Sequence, residues 1–122
     1  MKPKTFSLRK RANSFRFAWD GIRRFFAQEH NSWIHLAATV AIFFAAKWFQ
    51  LSRMEIISLV IVTGFVWSAE IFNTAIEKVM DFISPQQSNE VKYIKDLSAA
   101  AVLIASFIAL VTGAFIFIPK IF

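Results

Sequence analysis

Glu70, Asn73, Glu77 and Asp81 lie on one stripe of a helical segment whose first half, residues 56–69, carries no charge at all. At about 100° per residue, offsets of three, seven and eleven bring these side chains back to nearly the same face. A helix this apolar is a membrane span, and a single carboxylate near the centre of a span costs about 2.5–3.5 kcal/mol. Such groups have to face other protein, water, metal or substrate. The stripe therefore constrains the chain to helices in a bilayer and marks the first candidate functional site.

Three apolar stretches follow one another, at 34–51, 56–83 and 97–118. Each is long enough to cross a hydrocarbon core of about 30 Å, which takes roughly 20 helical residues. The 57% hydrophobic content and the mean hydropathy of +0.50 agree with that class. Three spans use more than half of the 122 residues, so the expectation is one membrane-embedded domain over 1–122 and an all-α membrane protein. With no cysteine there is neither a disulfide nor a thiolate metal site. The first 33 residues are charged too often for a signal peptide's apolar region, so none is expected.

Eight of the fourteen Lys and Arg precede the first span: Lys2, Lys4, Arg9, Lys10, Arg11, Arg16, Arg23 and Arg24. Lys92 and Lys95 follow span two, whereas the loop after span one holds only Arg53 and the C-terminal end only Lys120. By the positive-inside rule the N-terminus and the 84–96 loop are cytoplasmic. Anionic lipid and topology account for this basic balance, and nucleic acid is not expected as a partner. Over 6–29, Phe15, Trp19, Ile22 and Phe25/Phe26 recur at helical steps, with Arg16, Asp20, Arg23 and Arg24 largely opposite. That pattern predicts an amphipathic helix lying in the headgroup layer. Trp33 and Trp48 bracket span one as interface anchors would, and Ser84-Pro85 ends the second helix.

Entering at residue 56, a vertical helix exhausts the hydrocarbon after about 20 residues. Glu77 and Asp81 then sit in the cytoplasmic interface, and Glu70 lies about 10 Å deeper. Glu29, before span one, and Lys95-Asp96, opening span three, arrive at the same level. Three glycines, at 21, 64 and 113, allow no phosphate-binding glycine loop, and His30 and His35 are wrongly spaced for a zinc helix. What remains is a set of carboxylates, an amide and a lysine at one interface. Mg²⁺ prefers one or two carboxylates plus substrate phosphates. A lysine can neutralise a transferring phosphoryl group, and a spare carboxylate can take a hydroxyl proton. The inventory suits phosphoryl transfer from a nucleotide to a membrane-embedded alcohol.

The run Ala69-Glu70-Ile71-Phe72-Asn73-Thr74-Ala75-Ile76-Glu77, with Asp81, resembles the E-x-x-N-(S/T)-A-(I/V)-E-x-x-x-D signature of the prokaryotic diacylglycerol kinase family, which includes undecaprenol kinases. Lys95-Asp96-Leu97-Ser98-Ala99-Ala100-Ala101-Val102-Leu103 resembles the family's third-span opening, and Trp19-x-Gly21 with Glu29 its surface helix. The resemblance covers residues 8–118. It implies a homotrimeric, multi-pass lipid kinase of the bacterial inner membrane, using ATP and Mg²⁺ on undecaprenol or diacylglycerol. Glu70 would be the base, Glu29 and Glu77 the Mg²⁺ ligands, and Asn73 the group orienting substrate or phosphate. Lys95 and Asp96 would hold nucleotide phosphates, with Lys10, Phe17 and the turn residues Gln86, Gln87 and Ser88 also on the nucleotide. Trp19, Asn31, His35, Ser98 and Ala99 would contact lipid. Asp81 is open between the metal's neighbourhood and an interfacial pairing with Lys78 or an arginine; Asn73 could instead bridge helices, and His35 could be structural. The Asn31, Ile34 and His35 pattern leans toward undecaprenol. A rival from another class, a proton- or cation-conducting oligomer, explains Glu70 but leaves Glu29 and Lys95-Asp96 idle. A membrane anchor explains none of them.

Overall fold

Ser7, Ser52 and Ser88 each open a helix in the same way, their hydroxyls accepting the backbone N–H three residues on, from Lys10, Glu55 and Val91. A serine oxygen at this position satisfies one of the donors that a helix start leaves unpaired. The computed structural model describes residues 5–86 and 88–122, and among them the order is α1 (Leu8–Gln28), α2 (Asn31–Trp48), α3 (Arg53–Ile83) and α4 (Asn89–Ile121). No strand occurs among the described residues. The chain divides inside α2, after Ala38, into two units.

In the N-terminal unit α1 buries none of its residues, and Phe15, Trp19 and Ile22 are exposed along it. An exposed apolar stripe with arginines opposite is what a helix lying on lipid requires. α1 stops at an elbow that its own carbonyls hold. The Glu29 N–H returns to the Phe25 carbonyl at 2.9 Å, and the Glu29 carbonyl accepts both the Ser32 N–H at 3.2 Å and the Ser32 hydroxyl at 2.6 Å. Ser32 is fully buried as a result. The Trp33 indole N–H donates to the Phe26 carbonyl at 3.0 Å, and the two rings meet edge-on at 5.4 Å. Trp33, expected as an interface anchor, thus also satisfies a carbonyl in the last turn of α1, where intrahelical partners run out.

The second unit begins with the remaining turns of α2. The stretch expected as a span over 34–51 is helical only to Trp48. Leu51 N–H bonds the Ala46 carbonyl at 3.1 Å and Gln50 N–H the Lys47 carbonyl at 3.2 Å, with Gln50 at φ 51°. These two bonds and the left-handed residue between them make a Schellman stop, sealed by contact between the flanking apolar residues. Ala46 and Leu51 do supply it, in a buried cluster with Leu59 of α3 and Ile116 of α4. Phe49 packs edge-on against Phe117 at 5.8 Å. Ser52 then caps α3 reciprocally with Glu55, whose carboxylate takes the Ser52 N–H at 2.8 Å.

α3 and α4 pack as an antiparallel pair. Lys120 meets Glu55 at 3.4 Å, Ser98 meets Asn73 and Lys95 meets Asp81, so residue numbers fall on one helix as they rise on the other. Val91, Ser98 and Ala105 are buried at sevenfold spacing on the face of α4 turned to α3. That spacing is the seam of a shallow helix crossing. Leu103, Phe107, Leu110 and Phe115 stay exposed, the outward face of a helix made for hydrocarbon. α3 and α4 are long and apolar enough to cross a membrane. α2 is diluted by Asn31, His35 and Lys47 and does not reach that apolarity. At 31 residues α3 is about 46 Å long against a hydrocarbon core of about 30 Å, so its charged end projects beyond it.

A non-glycine residue in the left-handed region costs about 1–2 kcal/mol. Gln50→Gly is therefore expected to stabilise the protein by roughly 0.5–1 kcal/mol after allowance for glycine's freedom when unfolded. Gln50→Val, β-branched at the same φ, is expected to destabilise it. Thermal unfolding in a fixed detergent reads both, and a lower midpoint for the glycine variant would remove the Schellman stop as a determinant of this turn.

Candidate functional site

The acidic stripe of α3 changes character along its length. Glu70 and Asn73 are half-buried, whereas Glu77 and Asp81 are exposed. From Glu70 to Asp81 is about 16 Å along the helix axis, at 1.5 Å per residue. A carboxylate on the inner turns and two on the outer turns suit a group working at the edge of hydrocarbon and groups working toward water.

α4 brings two side chains onto this stripe. The Lys95 ammonium donates to an Asp81 oxygen at 2.6 Å, with the lysine side chain 25% exposed and the aspartate 67%. Three residues further along α4 the Ser98 hydroxyl donates to the Asn73 side-chain oxygen at 2.7 Å. Asp81, expected to pair with Lys78 or an arginine if it is not with the metal, has Lys95 of the neighbouring helix as an ion-pair partner. Lys95 and Asp96, expected to act together on phosphate, point apart because successive residues on a helix differ by about 100°. Lys95 faces α3, and Asp96 pairs with Lys92 at 2.6 Å on the exposed side of α4. Ser98, expected at lipid, is buried against Asn73, and Ala99 beside it is exposed.

Between α3 and α4 runs a groove of about 700 Å³, lined among others by Val60, Gly64, Phe65, Phe72, Asn73 and Ser98. Its walls are apolar, and Asn73 and Ser98 place polar atoms at one end. Trp67 turns away from it, its indole N–H donating to the Thr39 hydroxyl of α2 at 3.0 Å. The turn between the helices is held by local bonds. Ser84 donates its hydroxyl to the Gln86 carbonyl at 3.1 Å, and Ser88 caps α4. Ser88, expected at nucleotide, thus has a structural task, and Gln87 lies outside the described residues.

The N-terminal unit carries the other expected residues. Lys10 and Phe17, seven apart, share a face of α1, both exposed. The Arg16 guanidinium lies 5.6 Å from the centre of the Phe17 ring. Trp19 lines a groove of about 530 Å³ in the elbow with Ile22, Phe26, Trp33 and Leu36. Glu29 is half-buried at the elbow, with its backbone fixed on both sides. Asn31 opens α2 and is exposed, and His35 is half-buried one turn on.

Among the described residues no three His, Asp or Glu gather into a metal-holding group. Mg²⁺ does not require one, since it binds through one or two carboxylates, water and substrate phosphates. Hard carboxylate oxygen such as that of Glu77, on the exposed part of the stripe, fits that chemistry. Sequence reading missed the Ser98–Asn73 bond, the Lys95–Asp81 pair and the capping box. The last was written in Ser52-x-x-Glu55. The first two depend on how α4 lies against α3, which the periodicity of one helix does not give.

The family model for prokaryotic diacylglycerol kinase matches residues 16–117. A diacylglycerol kinase of Synechocystis sp. is 35% identical over 109 residues, covering 88% of this chain and 62% of that protein, so the chain spans less than two thirds of its length. An undecaprenol kinase of Bacillus subtilis is 33% identical over 108 residues, 88% of each.

The two pairings on the stripe differ in burial and so in energetic weight. Asn73→Ala leaves the buried Ser98 hydroxyl without this acceptor and is expected to cost about 1–3 kcal/mol. Asp81→Asn breaks a more exposed ion pair and is expected to cost under about 1 kcal/mol. Detergent unfolding of the two variants ranks them, and an equal or reversed order would contradict the burial at Ser98.

Proposed function

The chain belongs to the prokaryotic diacylglycerol kinase family, and we propose that it transfers the γ-phosphate of ATP to the hydroxyl of a membrane lipid. The observation that carries this reading is the half-buried Glu70, following the uncharged stretch 56–69 of α3, with an amide one turn on at Asn73 and a lysine that α4 brings to Asp81 at the outer end of the same stripe. In the proposed arrangement α2 is a third span beside α3 and α4, and α1 lies on the inner leaflet of the bacterial inner membrane. The basic N-terminus faces the cytoplasm, and the protein is a homotrimer.

Glu70 takes the proton of the lipid hydroxyl. The freed oxygen bonds to the γ-phosphorus as the bond from that phosphorus to the bridging oxygen breaks, and ADP leaves with the electron pair. Phosphoryl transfer of this kind needs positioning and charge neutralisation more than covalent chemistry from the protein. Lys95 supplies positive charge to the phosphates by exchanging its Asp81 partner for them. Asp96, on the outer side of α4, and Lys10 and Phe17, on one face of α1, serve the nucleotide. Mg²⁺, when bound, shields the phosphate oxygens, with Glu29 and Glu77 as its proposed protein ligands.

Undecaprenol is the proposed acceptor ahead of diacylglycerol. An isoprenoid alcohol offers no hydrogen-bond acceptor beyond its hydroxyl, which suits a groove whose lining is mostly apolar, as at Phe65 and Phe72. Phosphate transfer from labelled ATP to each lipid in matched mixed micelles tests the proposal. Label in undecaprenol, with kcat/KM at least equal to that for diacylglycerol, is the expected result. A tenfold preference for diacylglycerol, about 1.4 kcal/mol in the transition state, would reverse the acceptor. No label in either lipid would overturn the kinase reading.

Glu70→Gln is expected to lower turnover about 100-fold or more, the scale of a general acid–base group, with folding and assembly retained. Near-normal turnover in a folded Gln variant would remove Glu70 as the base. Glu29→Ala and Glu77→Ala are each expected to raise the Mg²⁺ concentration giving half-maximal rate. An unchanged Mg²⁺ titration in either would strike that residue from the ligand set.

A further inference from the structure

We infer that Ser98 is a positioning residue that fixes which end of the Asn73 amide faces the reacting groups, an assignment that rests on the lipid-kinase reading above. Ser98 is 7% exposed on the face of α4 turned to α3. A helical serine commonly returns its hydroxyl to a carbonyl of its own helix. Ser14 and Ser58 do so here, to Lys10 and Met54. Ser98 instead donates across the helix pair to the Asn73 oxygen at 2.7 Å.

An amide has one accepting end and one donating end. With its oxygen held against α4, Asn73 offers its two N–H donors elsewhere. No buried side-chain nitrogen or oxygen among the described residues lacks a partner, and the Asn73 nitrogen has no acceptor among them. It is therefore accessible, on the residue that lines the polar end of the groove, one turn from Glu70. Donors at that place suit a phosphoryl oxygen or the oxygen of the acceptor alcohol as it loses its proton. A reversed amide would set its own lone pairs against the same electron-rich atoms. Ser98 thus decides whether Asn73 attracts or repels the reacting oxygens without touching them.

The experiment is a double-mutant cycle in the phosphate-transfer assay, with Ser98→Ala, Ser98→Thr, Ser98→Cys and Asn73→Ala in the full-length protein. Ser98→Ala is expected to lower kcat about tenfold, the effect of one well-placed hydrogen bond, with the KM for lipid changed less than about twofold. Ser98→Thr, which keeps the hydroxyl, is expected to restore most of the rate. Ser98→Cys, a weaker donor of similar size, should fall between them and serves if the alanine variant does not fold. In the Asn73→Ala background Ser98→Ala is expected to have little further effect, because coupled residues are not additive. Losses that multiply together with a raised lipid KM would make Ser98 a direct lipid contact and overturn the inference, as would an unchanged kcat or a threonine variant that fails to recover. The Asn73 side-chain amide signal in ¹⁵N spectra gives a readout independent of turnover, expected to shift in Ser98→Ala and to hold in Ser98→Thr. A wild-type protein that transfers no phosphate would sink the kinase reading, while that signal still decides whether Ser98 holds the amide.

Discussion

A polar side chain on a helix surrounded by hydrocarbon has no water to turn to, so it must find its partner on the next helix. The α3–α4 pair meets that constraint at Asn73–Ser98, where the serine is buried. Its contacts run from Glu55–Lys120 at one end, through Asn73–Ser98, to Asp81–Lys95 at the other. The apolar contacts between the two helices, such as Leu59 with Ile116, are forgiving of a shift in register. Hydrogen bonds of 2.6–2.7 Å are not. A slide of one turn, about 5.4 Å, would break them together. Asn73, Asp81, Lys95 and Ser98 belong both to the contacts that fix the register and to the candidate site.

The ends of the helices show what sequence makes visible. Ser84-Pro85 stops α3 where expected, because proline cannot donate and restricts the residue before it. The apolar stretch 34–51 runs past the end of α2 at Trp48 because Phe49 and Leu51 are apolar, and apolarity reports burial, not helix. Gln50 sits in the left-handed conformation without being glycine, so the stop carried no compositional mark. The apolar stretch 97–118 lies within a longer helix that begins at Asn89, since Glu90, Lys92 and Lys95 are good helix residues and Ser88 caps it.

The candidate site divides along the same line. The face shared by Glu70, Asn73, Glu77 and Asp81 follows from helical periodicity alone. What they bond to does not, because partner choice depends on how α4 lies against α3. Asp81 is open from sequence between the metal's neighbourhood and a pairing with Lys78 or an arginine, and the fold brings it Lys95 from fourteen residues away. Likewise the adjacent Lys95 and Asp96 look like one motif in a line of letters and occupy different sides of a helix. Ser98 is expected at lipid from the resemblance, and only packing discloses its bond to Asn73.

The register of α3 against α4 is the claim from which the rest follows, and the chain's lack of cysteine lets it be measured directly. Two short side chains joined by a 2.7 Å hydrogen bond place their backbones close to disulfide reach, a Cα separation of about 4.4–6.8 Å. Asn73→Cys combined with Ser98→Cys, oxidised in membranes and read by mass spectrometry, is expected to form a disulfide within one chain. Asn73→Cys combined with Leu97→Cys, whose residue 97 is turned about 100° from 98, is expected to remain reduced under the same conditions. Oxidation of both pairs at similar rates, or of the second in preference to the first, would contradict the register and with it the assembly of the site.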